Sequence, residues 1–122
     1  MKKIEAIIRN ERLQAVQDAL DELGASGLNV TEVKGCGRQK GYTEQYRGVQ
    51  ANISLLPKIK VESVVPSDIV DSVVEAIANA ARTGEIGDGR VFVYPVEQSL
   101  RIRTGESGEE SVRHEEPVGW GH

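Results

Sequence analysis

Two stretches of helical apolar spacing are each bracketed by strand-like runs, and this order restricts the fold more than any other feature. Leu13, Val16, Leu20 and Leu23 recur at helical spacing, with Asn10 placed as an N-cap, Glu11 in the first turn and Gly24 as a stop. The second stripe is Ile69, Val70, Val73, Val74, Ile77 and Ala81, opened by Pro66-Ser67 and closed at Thr83-Gly84. Around them lie four extended runs. Lys3–Arg9 alternates, with Ile4, Ala6 and Ile8 on one side and Ile7 as the odd apolar residue on the polar side. Leu28–Gly35 is rich in β-branched residues. Leu55–Val65 sets Ile59, Val61 and Val65 against Lys58, Lys60 and Glu62. Arg90–Val96 follows the tight turn Gly87-Asp88-Gly89.

The order β-α-β-β-α-β predicts an α+β, ferredoxin-like sandwich. Two helices cover only one face of a four-stranded sheet. The last strand is nevertheless apolar on both faces, Val91 and Val93 on one, Phe92, Tyr94 and Val96 on the other. A strand with two apolar faces expects two covers. A second copy of the chain is the simplest one, so a homo-oligomer is expected. A monomer with a few exposed apolar residues is the alternative.

At 122 residues the chain fits one domain. Its formal net charge of −4 argues against general nucleic-acid binding. Three Tyr, one Phe and one Trp are too few for a base-stacking platform. The single cysteine, Cys36, makes a disulfide framework within one chain impossible, and a reducing compartment is the expectation. No long apolar run follows Met1, so neither a signal peptide nor a membrane span is expected, and the chain reads as cytoplasmic. Beyond Thr104 the composition shifts to Gly, Ser and Glu. The folded domain is expected to end near residue 106, with 107–122 a flexible tail.

Candidate chemistry lies in the polar segments. Gly37–Ser54 has three glycines and no periodicity, and loops of that length inside compact domains are usually functional. Gly35-Cys36-Gly37-Arg38-Gln39-Lys40-Gly41 combines glycines, whose backbone N–H groups approach an anion closely, with cationic side chains. It is neither a Walker A motif nor GxGxxG, and no helix follows it; a plain flexible loop fits equally well. Gly84–Arg90 is a second glycine-rich turn, and Arg101-Ile102-Arg103 puts two guanidiniums on one side of an extended segment. For these, and for Lys58, a connection or a solvated surface charge is the competing reading. Catalysis has little support: both histidines, His114 and His122, fall in the tail, which leaves no Ser/His/Asp, Cys/His or zinc set.

Taken together, Met1–Ile8, Val30–Gly41, Leu56–Glu62, Thr83–Val93 and Arg101–Glu106 closely resemble the PII nitrogen-regulatory signalling proteins, over residues 1–106. The resemblance implies a homotrimer with a long loop, about 37–54, between the second and third strands. It implies nucleotide clefts between subunits in which ATP and ADP compete. Gly35, Gly37, Arg38, Gln39, Gly87, Asp88, Gly89 and Arg90 would hold the phosphates and adjoining groups, with Arg101 and Arg103 reaching in from the adjacent subunit. Glu62 and Val64 would lie by the adenine and ribose. Asn29, where the family commonly has Thr, can still hydrogen-bond. The effector 2-oxoglutarate would bind beside MgATP, with Gln39 on the metal, Lys58 on a carboxylate, and Lys40, Gly41 and Gly87 nearby. Tyr46-Arg47-Gly48 would contact a partner, an ammonium transporter or an enzyme of nitrogen metabolism.

The loop tip departs from the family. Val49-Gln50-Ala51 stands where Ala or Ser, Glu and Tyr are usual, and Ser54 replaces an acidic residue. Ala51 and Val49 have no hydroxyl, so uridylylation or phosphorylation at those places is chemically excluded. Two regulator readings follow. In one, bound ATP with 2-oxoglutarate, or ADP, sets the loop conformation that a partner reads. In the other, the chain is a divergent paralogue with weakened 2-oxoglutarate sensing and a different partner. Slow ATP hydrolysis as the main activity is a third reading, and it lacks an obvious general base.

Overall fold

The computed structural model describes residues 1–25, 27–35 and 56–113. The elements run β1 (Lys2–Ile8), α1 (Leu13–Glu22), β2 (Asn29–Gly35), β3 (Leu56–Val65), α2 (Val70–Ala81) and β4 (Arg90–Pro95). The strands form one antiparallel sheet in the order β2-β3-β1-β4. This is the ferredoxin-like α+β arrangement that the element order predicts.

Strand alternation divides the sheet cleanly. Ile4, Ala6 and Ile8 of β1 and Ile59, Val61 and Val65 of β3 are buried under the helices. They meet Val16 and Leu20 of α1 and Val73, Ile77 and Ala81 of α2. Each large side chain so buried contributes about 1.5–3 kcal/mol relative to exposure. The other parity, Lys3, Glu5 and Ile7 with Lys58, Lys60, Glu62 and Val64, is only part-buried and forms the open face of the sheet. Register pairs Phe92 with Glu5 and Tyr94 with Lys3, so both aromatics lie on that open face. Each is 42% exposed.

The helix starts differ from expectation. Asn10 does not cap α1. It lies in a 3-10 turn, Asn10–Arg12, preceded by Arg9 with no side-chain cap hydrogen bond. A backbone bond from Arg12 N to Arg9 O, 3.0 Å, tightens the chain there and satisfies a donor that a cap would otherwise take. A second 3-10 turn, Ser67–Ile69, precedes α2. Leu23 falls just past α1 and is 36% exposed.

The C-terminal segment also differs from a flexible tail as far as Arg113. Gly108–Val112 forms a 3-10 turn, and Leu100 bridges to Ser107. Glu109 fastens this segment to the start of the sheet and of α2. Its carboxylate accepts from the Met1 amino group at 2.8 Å and from the Ser67 backbone N–H and hydroxyl at 2.9 and 2.7 Å. Those donors, the amino group first, hold its pKa down to about 2. Residues 114–122, with His114, Trp120 and His122, lie outside the described residues. Among the described residues no helix is long and apolar enough to cross a membrane.

Candidate functional site

The expected site residues fall into two clusters on one chain. The first lies along the open face at the end of β3. There a groove of about 1050 Å3 is lined by Asn29, Glu62, Val64 and Arg101, with Lys3, Leu23 and Leu28. Asn29 pairs in register with Glu62, which sets their side chains on the same sheet face. Lys3 Nζ donates to Glu62 Oε2 at 3.1 Å and sits 4.9 Å above the Tyr94 ring. The hydrogen bond from Lys3 to Glu62, and Glu62's charge, hold the Lys3 ammonium above its ordinary pKa. The groove thus combines apolar walls, an amide, a fixed carboxylate and cations. Arg103 is exposed in the adjoining turn and does not line the groove.

The second cluster gathers Gly35, Lys58 and the turn Gly87-Asp88-Gly89. Lys58 runs past Gly35, whose Cβ position lies 3.4 Å from Lys58 Cγ, and donates from Nζ to the Gly87 carbonyl at 2.6 Å. Asp88 organises the turn. Its Oδ2 accepts from the backbone N–H groups of Thr83 and Gly84, each at 2.8 Å. Its Oδ1 accepts from the Thr83 hydroxyl and from Arg9 Nε, the latter at 2.9 Å. The Thr83 hydroxyl first, then the Arg9 guanidinium, hold the Asp88 carboxyl well below the usual carboxylate range. The Asp88 side chain is therefore committed to its own turn. A ligand at this turn would meet backbone and cations, not that carboxylate. Arg90, exposed at the start of β4, pairs in register with Ile7 and points to the open face.

These clusters stand apart. Lys58 and Glu62–Val64 are four to six residues along one strand, roughly 13–20 Å at the usual rise per residue. Each chain presents two separate clusters of expected site residues on one face.

Cys36, Gly37, Arg38, Gln39, Lys40, Gly41, Tyr46, Arg47, Gly48, Val49, Gln50, Ala51 and Ser54 lie outside the described residues. So, therefore, do the expected metal contact and partner contact. Three described residues that sequence reasoning passed over take part: Lys3 orients Glu62, Arg9 braces the Gly87 turn, and Arg113 lines the groove. Arg9 ends an alternating strand beside a cap candidate, which signalled nothing about a turn 79 residues away.

The fold defines a small ferredoxin-like α+β protein with two clusters of expected site residues on its open face. Among the described residues, no group of three or more His, Cys, Asp or Glu side chains is placed to hold a metal ion. Comparison with known proteins narrows this class. The family model described as nitrogen regulatory protein P-II matches residues 1–106. A nitrogen regulatory protein P-II from Cereibacter sphaeroides is 57% identical over 112 residues, covering 92% of this chain and all of that relative. One from Rhodobacter capsulatus is 56% identical with the same coverage. The nitrogen regulatory protein P-II 1 of Escherichia coli K12 is 54% identical, again over the same shares. The chain belongs to the P-II family of nitrogen regulatory proteins, which are signalling regulators rather than enzymes.

Proposed function

We propose that the chain senses nitrogen and energy status by binding ATP or ADP in clefts between copies of itself, and passes the result to a partner through segment 37–54. The observation that supports this most is the split site. The base-side residues Asn29, Glu62 and Val64, with Arg101 at the same groove to meet the phosphates, and the phosphate-side groups at Gly35, Gly87–Arg90 and Lys58 occupy opposite ends of one open sheet face. A cyclic assembly lets one copy's first half face its neighbour's second half, and a trimer is the assembly proposed. Exposed Phe92 and Tyr94 on that same face give such an assembly an apolar centre.

The groove suits a nucleobase. Leu28 and Val64 supply apolar contact, and Asn29 offers both a donor and an acceptor to a ring edge. On the phosphate side, the cations Arg38, Lys40 and Arg90 and glycine N–H groups suit a polyphosphate. Gln39 would hold Mg with ATP, and Lys58 would take a carboxylate of 2-oxoglutarate. To do so Lys58 would have to share or leave the Gly87 carbonyl. Differential affinity of ATP with 2-oxoglutarate and of ADP for two loop arrangements is all the coupling requires. The partner would be an ammonium transporter or an enzyme of nitrogen metabolism. With Ala51 in place of a modifiable tyrosine, ligand alone sets the loop.

The altered tip Val49-Gln50-Ala51 favours a second reading, a divergent paralogue with weaker 2-oxoglutarate sensing and another partner. Calorimetry separates the possibilities. ATP and ADP should each bind at one site per subunit, and 2-oxoglutarate should bind only with MgATP. Nucleotide binding without any 2-oxoglutarate response selects the second reading. No heat at millimolar nucleotide contradicts both.

A further inference from the structure

The guanidinium of Arg101, at the groove, is already engaged by the C-terminal segment of its own chain. Arg101 Nη1 is paired with the Glu106 carboxylate, and Nη2 donates to the Arg113 carbonyl at 2.6 Å and to the Glu110 carbonyl at 3.3 Å. The backbone repeats the link, with Arg101 N donating to Glu106 O and Gly105 N to Arg101 O, each at 2.8 Å. Two anchors hold the far side of the segment. Glu109 binds Ser67 and the Met1 amino group, and Arg113 lies 3.7 Å from Asp68 and 3.3 Å from Glu110. Ser111 and Val112 of the same segment form part of the groove wall.

We propose that residues 105–113 are a strap that competes with an anionic ligand for Arg101, so that strap docking and polyphosphate binding oppose each other. This rests on the nucleotide reading above for the ligand, but not for the strap itself. The physical ground is the geometry of a guanidinium. Its donors form a planar fork, and an arm turned to two carbonyls and a carboxylate cannot present the same edge bidentately to a phosphate. An anion must therefore draw Arg101 from Glu106 and Arg113, and the strap loses its hold at that end. Its other end depends on Glu109. Coupling of this kind is reciprocal: whatever loosens Glu109 raises anion affinity, and anion binding loosens Glu109. The anchor is exposed to chemical control, because Ser67 carries the hydroxyl that Glu109 accepts from and is itself exposed.

The test uses the full chain, the variant Glu109→Gln and the variant Ser67→Ala. Hydrogen exchange reads the strap, phenylglyoxal labelling followed by mass spectrometry reads Arg101, and ATP titration reads the ligand. Both variants should speed amide exchange in 105–113, raise Arg101 labelling several-fold and tighten ATP binding by roughly 3–10-fold, equivalent to about 0.7–1.4 kcal/mol. ATP added to the parent protein should itself speed exchange in 105–113. Unchanged Arg101 labelling in both variants overturns the strap. Faster exchange and labelling with unchanged or weaker ATP binding overturns the competition. If no form binds ATP, the nucleotide reading fails and the proposed competition fails with it, while the labelling result alone still decides whether the strap shields Arg101.

Discussion

Replacing Gly89 with alanine is expected to destabilise the fold by about 4 kcal/mol or more, near the top of what single substitutions do. A Cβ at Gly89 would lie 1.7 Å from the Ile7 carbonyl oxygen and 2.8 Å from the Ile7 carbonyl carbon. Both are backbone atoms of a central strand paired on both edges, so neither can swing aside. The backbone also sits at φ +102°, where a side chain adds strain of its own. Gly84 is the control. It has a comparable φ of +92°, yet a Cβ there meets nothing within 4 Å. Gly84→Ala should therefore cost only about 1–2 kcal/mol from backbone strain. Urea unfolding of the two variants separates clash from strain. Equal losses would show that β4 does not enter the sheet as closely as described. The consequence reaches the proposed phosphate side, since the Gly87 turn and Arg90 are placed by this close passage.

The second large effect concerns assembly. Phe92→Asp is expected to prevent the proposed oligomer from forming, leaving monomers at micromolar concentration while the chain stays folded. Phe92 lies on the open sheet face beside Ile7 and Tyr94 and is 42% exposed in the isolated chain. A carboxylate there faces solvent in the monomer but must be desolvated when a second copy covers the face. Within the chain the added electrostatic cost is small. The introduced carboxylate would meet Glu5 across β1, and like charges so placed cost about 0.2–1 kcal/mol. Sedimentation velocity reads the assembly, and circular dichroism the fold. A parent protein that is monomeric, or a variant that stays fully assembled, would show that the open face is not the interface.

Much of the fold is legible in the chain because its signals are local. The parity of Ile4-Ala6-Ile8 and of Ile59-Val61-Val65 states which sheet face meets the helices, and the stripe Val73-Ile77-Ala81 states which helix face meets the sheet. Motif resemblance carries the candidate site residues, and parity then explains why Asn29, Glu62, Val64 and Arg90 share one face. The parts that resist reading depend on partners distant in sequence. Asp88 looks like a turn residue facing a phosphate, but the hydroxyl and backbone of Thr83, with Arg9, claim its carboxylate. Glu109 sits in a Gly/Ser/Glu-rich stretch whose composition reads as disorder, yet it meets an amino group 108 residues away. Asn10 suits a cap by type, and a single backbone bond from Arg12 to Arg9 displaces it.

The proposed nucleotide cleft is completed between copies. Arg101→Ala damages the groove half, and Arg90→Ala damages the turn half. Each variant alone should bind ATP at least tenfold more weakly than the parent, about 1.4 kcal/mol per site. Co-assembled from one mixture, they should regain a subset of clefts with parental affinity, because an Arg101→Ala copy lends its intact turn to the intact groove of an Arg90→Ala neighbour. ATP titration of the mixed oligomer is the measurement. Recovery of a tight-binding fraction is the predicted result; uniformly weak binding in the mixture would contradict a shared cleft.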